Sequence, residues 1–232
     1  MSIAKINAVL KKITPLTDSV SLFTFELEKE LEFIAGQFIN LFFEHEGQKY
    51  SRPYSIASPP SQRKTIDLCI KKVEAGKVTP TLFERKIGDT FIVQGPLGLF
   101  SAQESLEHVL CIATGTGVAP FRSIISDILQ NEQQKKITLV FGVRHADHVL
   151  FEKEWRDLEQ VSPNFSFVPM ISKPTENWEG RIGYVQHNLP RFDVLNTTVL
   201  ICGLLPMIKE VEIELDKRGV PQEHIHYEKF GN

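Results

Sequence analysis

The sequence predicts two domains of different class: an antiparallel β-barrel of six short strands, then an α/β domain built on a parallel sheet of five strands. Three observations carry this reading. In the first hundred or so residues, apolar and polar residues alternate in short runs separated by turn residues. Beyond them, short apolar runs alternate with amphipathic helical stretches. Between the two rhythms lies the polar segment "SAQESLE", Ser101–Glu107, which sets the domains at residues 1–100 and 101–232.

Each element follows in order. The opening "MSIAKINAVLKK" alternates and reads as a first strand. "SVSLFTFELE" (Ser19–Glu28) sets Val20, Leu22 and Phe23 against Ser and Thr. "GQFINLFF" (Gly36–Phe43), "RPYSIAS" (Arg52–Ser58), "TIDLCIKKV" (Thr65–Val73) and "GDTFIVQGP" (Gly88–Pro96) complete the six. The turns are "EHEGQ", "SPPSQ" and "EAGK", and one helical piece, "TPTLFERK", interrupts the strands. Short antiparallel strands of this kind suggest a small closed barrel.

In the second half, "HVLCIA" (His108–Ala113), "ITLVFGV" (Ile137–Val143), "FSFVPMI" (Phe165–Ile171), "TTVLICG" (Thr197–Gly203) and "HIHYEKF" (His224–Phe230) read as strands. "APFRSIISDILQ", "VLFEKEWRDLEQ" and "PMIKEVEIELDKRG" read as helices. Right-handed crossovers between parallel strands place such helices on both faces of the sheet. No internal repeat or low-complexity stretch interrupts the pattern.

Composition narrows the function classes. Of the 232 residues, 42% are hydrophobic and 24% charged, ordinary values for a globular protein. The net charge of -3 offers no basic surface for nucleic acid. No apolar run approaches the ~18 residues that a membrane span needs. The N-terminus lacks a secretory signal core, so the expected location is cytoplasmic. Cys69, Cys111 and Cys202 are far apart and show no metal-ligand spacing. An iron–sulfur cluster takes about four thiolates, so none is expected, nor any other metal. Cys69 and Cys111 read as small buried hydrophobes.

Five stretches carry chemistry. "ATGTGVAP" (Ala113–Pro120) follows a strand and opens a helix, with Pro120 suited to the first turn. Its two glycines let backbone approach a pyrophosphate, and the helix N-terminus offers free N–H groups. The spacing is Gly-x-Gly-x-x-Pro, which departs from the usual dinucleotide fingerprint. Past the next strand stand Arg144, suited to an adenosine-side phosphate or ribose, and Asp147, suited to ribose hydroxyls; a solvated loop is the plain alternative. In "CGLLPM" (Cys202–Met207), Gly203 permits close backbone approach, and Cys202 either faces the crevice or packs in the core. In "VEAGKVTPTLFE" (Val73–Glu84), Gly76, Lys77, Val78 and Thr79 stand at a helix start; Thr79 is either a phosphate ligand or an N-cap. In "SRPYSIAS" (Ser51–Ser58), Arg52 can pair with a phosphate, Tyr54 can lie against a flat ring, and Ser55 can bond a ring nitrogen. Taken alone, this last stretch is a barrel strand.

Together these residues resemble the ferredoxin–NADP reductase superfamily over essentially the full chain. The resemblance rests on Arg52-Pro53-Tyr54-Ser55, the Gly76–Thr79 helix start, "GPLGLF", "GTGVAP" and "CGLLPM", in the family's order. The closing "HYEKF" resembles the ends of reductase components of bacterial oxygenases. The resemblance implies a flavin on the barrel, FAD rather than FMN, and NADPH or NADH on the α/β domain. It implies that Arg52 and Pro53 lie at the flavin phosphate, that Tyr54 packs on the isoalloxazine, and that Ser55 bonds N5, the hydride acceptor. Gly76, Lys77, Val78 and Thr79 would hold the diphosphate. Thr114, Gly115, Thr116 and Gly117 would cradle the NAD(P)H pyrophosphate. Cys202 and Gly203 would face the nicotinamide. Glu228 and Phe230 match the family's terminal acid and aromatic, but Gly231 and Asn232 follow Phe230, so it either stacks or only anchors the last strand.

The implied activity is hydride transfer from NAD(P)H to bound flavin, then electron delivery to a separate acceptor: a ferredoxin, a flavodoxin or an oxygenase component. Ser55, Cys202 and Glu228 are the expected catalytic residues. Two other readings stand beside it: a reductase that uses free flavin as substrate, and an electron-transfer subunit that works only within a larger complex.

Overall fold

A computed structural model describes residues 3–103 and 105–230, apart from the side chain of Pro190. Met1 and Ser2 of the expected first strand, Glu104 of the boundary segment, and Gly231 and Asn232 lie outside the described residues. The chain divides into two units, Met1–Ser101 with Arg122–Asp127, and Ala102–Phe121 with Ile128–Asn232.

The first unit holds six antiparallel strands: β1 (Ala4–Pro15), β2 (Val20–Leu27), β3 (Phe38–His45), β4 (Gln48–Ser55), β5 (Thr65–Lys71) and β6 (Thr90–Leu97). Helix α1 (Val78–Phe83) lies between β5 and β6. The strand order is β4-β3-β6-β1-β2-β5. The two edges approach each other through the chain just after β4. Ile56 bridges Leu68, and the Ala57 N–H donates to the Asp67 carbonyl at 2.8 Å. This curls the sheet into the expected barrel. Its interior is filled by alternate residues of each strand, among them Leu10, Phe23, Phe25, Ile39, Leu41, Leu68 and Val93. In β2 the inward set is Phe23, Phe25 and Leu27, while Leu22 is only half-buried. The pleat has a period of two, so Leu22 and Phe23 cannot share a face.

The turn between β3 and β4 is tighter than "EHEGQ" suggests. Only Glu46 and Gly47 lie between the strands, with φ of 50° and 73°. Positive φ at both central residues twists a two-residue hairpin in the sense of its strands.

In the second unit all strands are parallel. They are β7 (His108–Thr114), β8 (Lys136–Val143), β9 (Phe165–Ile171), β10 (Arg181–Ile182), β11 (Thr197–Gly203) and β12 (Ile225–Lys229), ordered β10-β9-β8-β7-β11-β12. The sheet therefore has six strands, not five. The extra one, β10, is two residues long, bounded by Gly180 and Gly183, and pairs only with β9. A two-residue strand has no periodicity to read. Helices α2 (Ala119–Asn131), α3 (Glu152–Val161) and α4 (Leu205–Lys217) supply the crossovers. Helix α3 starts three residues later than its sequence pattern, because Phe151 takes φ 59° and cannot be helical.

From β7 the chain steps outward to β8, β9 and β10, then returns to the other side of β7 with β11 and β12. The order thus reverses between β7 and β11. With right-handed crossovers, α2 and α3 cover one face and α4 the other. Met207, Ile208, Val211 and Leu215 of α4 pack with Leu110, Ile112, Val140, Val199 and Ile201. On the opposite face Trp155 of α3 is fully buried near the rings of Phe165 and Phe167, and its indole N–H donates to the Leu150 carbonyl at 2.9 Å. Among the described residues, no helix is long and apolar enough to cross a membrane.

Candidate functional site

On the barrel, Arg52, Pro53, Tyr54 and Ser55 sit on β4, an edge strand of the sheet. Its register against β3 pairs Arg52 with Leu41, Pro53 with Asn40, Tyr54 with Ile39 and Ser55 with Phe38. An edge strand tolerates Pro53, which has no N–H to give. Arg52 and Tyr54 are two residues apart and so share a face. Ser55, the last residue of β4, is buried and has the opposite parity. The structure brings the cation and the ring together and places the hydroxyl at the strand end.

Arg52 is exposed, and its guanidinium donates to the Ser51 carbonyl at 2.8 Å. Tyr54 packs against the barrel core, but its hydroxyl is buried with no hydrogen-bond partner. Burial pushes the phenol up to about 12, against the pull of Arg52. A buried, unmatched hydroxyl beside a surface cation suits a ligand with one flat polar face and a phosphate.

The segment from Val73 to Thr79 is shaped by its own bonds. The Gly76 N–H donates to the Val73 carbonyl at 2.8 Å, and the Val73 N–H donates to Thr79 Oγ1 at 2.8 Å. Thr79 is therefore not the N-cap; that position is Lys77, with no side-chain cap. Helix α1 has six residues and Pro80 in its first turn. What the segment offers an anion is its own backbone N–H groups more than a helix dipole. A groove of about 890 Å³ elsewhere on the barrel, lined by Phe42, Phe91 and Ile92, contains none of the predicted residues.

In the α/β unit, the predicted residues gather at the reversal between β7 and β11. Open α/β sheets bind ligands outside the carboxyl ends of their strands at such a point. Thr114 ends β7, Gly115–Val118 make one 3₁₀ turn, and α2 follows with Pro120 in its first turn. Cys202 and Gly203 end β11. The two glycines of "GTG" do different work. Gly115 has φ 55° and open space where a Cβ would go. Gly117 has none: a Cβ there would run into the Cys202 carbonyl and the Gly203 amide nitrogen. A Cβ on Gly203 would overlap Thr114 Oγ1. The two loops touch backbone to backbone, and only glycine allows it. Thr114 Oγ1 is buried without a hydrogen-bond partner. An unmatched hydroxyl beside the open space at Gly115 fits a nucleotide that brings its own polar atoms.

Sequence reading passes over Gly142. Its missing Cβ leaves room for Val185, 2.7 Å from where that atom would be, and for the Thr114 methyl at 3.2 Å. A glycine inside an apolar strand is the signal that could have found it.

Cys202 is fully buried. Burial raises its thiol well above the usual range, and Glu228 raises it further. Glu228 is its register partner on β12. The Phe230 N–H donates to the Gly203 carbonyl at 2.8 Å, which fixes the residue after β12 to the crevice loop. Arg144 and Asp147 are exposed just past β8, and the Lys173 N–H donates to the Arg144 carbonyl at 2.8 Å. Cys69 and Cys111 are free and buried. Among the described residues, no three His, Cys, Asp or Glu side chains group to hold a metal.

Comparison with known proteins matches both units. Residues 7–101 match an oxidoreductase FAD-binding domain, and residues 111–212 match an oxidoreductase NAD-binding domain. The chain is 32% identical to ferredoxin–NADP reductase B of Sorangium cellulosum over 236 residues, covering 97% of each chain. It is 28% identical to the anthranilate 1,2-dioxygenase electron transfer component of Acinetobacter baylyi, over 99% of this chain and 67% of that one. Among solved structures, the cytochrome P450 reductase GcoB of Amycolatopsis superposes with a TM-score of 0.89 at 25% identity, over 98% of this chain and 70% of that one. The FAD-binding barrel, the NAD-binding sheet and the full-length similarity place the chain in the ferredoxin–NADP reductase superfamily, as an NAD(P)H-dependent flavin oxidoreductase.

Proposed function

We propose that this enzyme oxidises NAD(P)H and delivers the electrons, through FAD held on the barrel, to a separate one-electron carrier protein such as a ferredoxin, a flavodoxin or an oxygenase component. FAD, when bound, supplies the redox chemistry, accepting two electrons as a hydride and releasing them one or two at a time. The observation that carries the reading is the pair of unmatched buried hydroxyls, Tyr54 Oη and Thr114 Oγ1, at the two predicted ligand positions. Each would lose its desolvation penalty when a ligand completes it.

The residues divide the work. Arg52 pairs with a flavin phosphate, and Pro53 keeps β4 at the sheet edge where that phosphate is accessible. Tyr54 packs its ring on the isoalloxazine, and Ser55 directs its hydroxyl to N5. Lys77, Val78 and Thr79 give backbone N–H groups to the diphosphate, and Gly76, whose own N–H is held by the Val73 carbonyl, turns the chain toward it. Thr114, Gly115 and Thr116 bind the NAD(P)H pyrophosphate, and Gly117 keeps the turn against β11. Arg144 and Asp147 take the adenosine side, the cation favouring NADPH and the carboxylate favouring NADH. Cys202, Gly203 and Glu228 border the nicotinamide, and Phe230 lies just after β12, tied to Gly203. The location is the cytoplasm, consistent with three free thiols.

The test is an absorption spectrum of the purified protein, then oxidation of NADPH and NADH with ferricyanide and with a ferredoxin. A yellow protein that reduces both acceptors supports the reading. A colourless protein that turns over only with added flavin points to a free-flavin reductase. No turnover with any acceptor points to a subunit that needs its complex.

A further inference from the structure

We propose that Arg85 is a positioning residue that anchors α1, and with it the place of the Val73–Thr79 loop, for the FAD diphosphate; the proposal rests on the flavin reading above. Arg85 lies two residues beyond α1, and its side chain is 17% exposed. Its guanidinium lies 5.2 Å from the ring centre of Phe43 and 5.9 Å from that of Phe91. One terminal nitrogen donates to the Glu44 carbonyl, and the other is 3.5 Å from Asp89 Oδ2. Its Nε is buried and has no partner.

A helix of six residues does not hold itself; isolated helices shorter than ~12–15 residues are marginal. The position of α1, and of the loop that leads into it, depends on anchors. Val78 and Leu82 bury into the barrel and supply one. Arg85 supplies the other. A methionine would fill the slot over Phe43 and Phe91 without a buried unmatched N–H, so filling the slot does not require an arginine. What arginine adds is the ion pair with Asp89 and, reaching across to β3, the tether to Glu44. Glu44 lies on β3, two residues before the Glu46–Gly47 turn, and β4 beyond that turn carries Arg52 and Tyr54. One side chain thus links both segments that hold the flavin phosphates.

The experiment titrates the flavin-stripped full-length chain, as the parent, Arg85→Met and Arg85→Lys, with FAD and with riboflavin, which has no phosphate. Denaturation midpoints are read alongside. Arg85→Met is expected to weaken FAD on the order of tenfold, about the worth of one lost phosphate-positioning contact. Riboflavin affinity and the denaturation midpoint should hold at the parent value, and Arg85→Lys should fall between. Equal weakening of FAD and riboflavin, or no weakening of FAD, overturns the proposal. If Arg85→Met does not fold, Arg85→Lys decides alone by the same ratio. A parent chain that takes up neither flavin overturns the flavin reading itself, and this proposal with it.

Discussion

Cys202 and Glu228 are register partners across β11 and β12, so a carboxylate stands beside a fully buried thiol. Both burial and the carboxylate hold the proton on sulfur. A thiol in this state is a poor nucleophile, since the thiolate is the reactive form. Cys202 is therefore expected to resist iodoacetamide at pH 8 in the folded protein and to react after denaturation. Peptide mapping of the alkylated protein checks this. Rapid labelling of native Cys202 would place the thiol in solvent and contradict its burial.

Gly117 and Gly115 predict different losses. An alanine at Gly117 must push the Cys202–Gly203 backbone aside, and overpacking of this kind costs about 1–3 kcal/mol. An alanine at Gly115 meets nothing but must hold φ 55°, at about 1–2 kcal/mol. Urea denaturation should show both losses. Affinity for NAD(P)H should fall more in Gly115→Ala, whose new methyl occupies the open space, at equal stability loss. The reverse ranking would move the pyrophosphate away from Gly115.

Arg52 and Tyr54 separate binding from stability. Arg52→Ala removes an exposed cation and should leave the melting temperature of the flavin-free chain unchanged. Its FAD affinity should drop about tenfold to a hundredfold, the equivalent of a charge-assisted bond of ~1.5–3 kcal/mol. Tyr54→Phe removes a buried unmatched hydroxyl and should raise the stability of the flavin-free chain. Its FAD affinity should fall about twofold to tenfold, for one neutral hydrogen bond of ~0.5–1.5 kcal/mol. Equilibrium dialysis and thermal scans read both effects. A Tyr54→Phe chain less stable than the parent would show that the hydroxyl has a partner inside the fold.

His108 predicts acid sensitivity. Its Nδ1 is 3.1 Å from Thr197 Oγ1 and its Nε2 is 3.2 Å from Thr138 Oγ1. Thr197 gives its own proton toward the Asp193 or Leu195 carbonyl, at 3.3 and 3.4 Å, so the arrangement suits a neutral ring with hydrogen on Nδ1. Burial lowers the ring below its usual 6.5, Asp193 opposes this, and Lys136 adds to it. The folded state then binds the proton less well than the unfolded state. The His108 contribution is present above the unfolded value, starts to fall below about 6.5, and is lost as the pH drops through the folded value. Urea midpoints from pH 7.5 to pH 5 should decline more steeply in the parent than in His108→Gln, which does not titrate. Parallel declines would remove His108 as the cause.

Much of this protein is legible without coordinates. Alternation in β2 and β6, and apolar runs followed by helical periods from β7 onward, reveal two domains because burial on one face imposes period two or 3.6. The order of the glycine, proline and serine motifs identifies the family. The chain does not show which residues touch across distance. Thr79 is not the N-cap its sequence suggests, since its hydroxyl accepts the Val73 N–H six residues back and Lys77 holds the cap position. Gly117 reads like a ligand glycine, and the strand order that brings β11 beside β7 adds a packing demand against Cys202 that the sequence does not show. Strand β10 exists only because β9 offers it an edge. Local pattern follows from which side chains must leave water. Strand order, register and the close approach of distant loops depend on pairings between segments far apart in sequence, and those are decided only when the chain has folded.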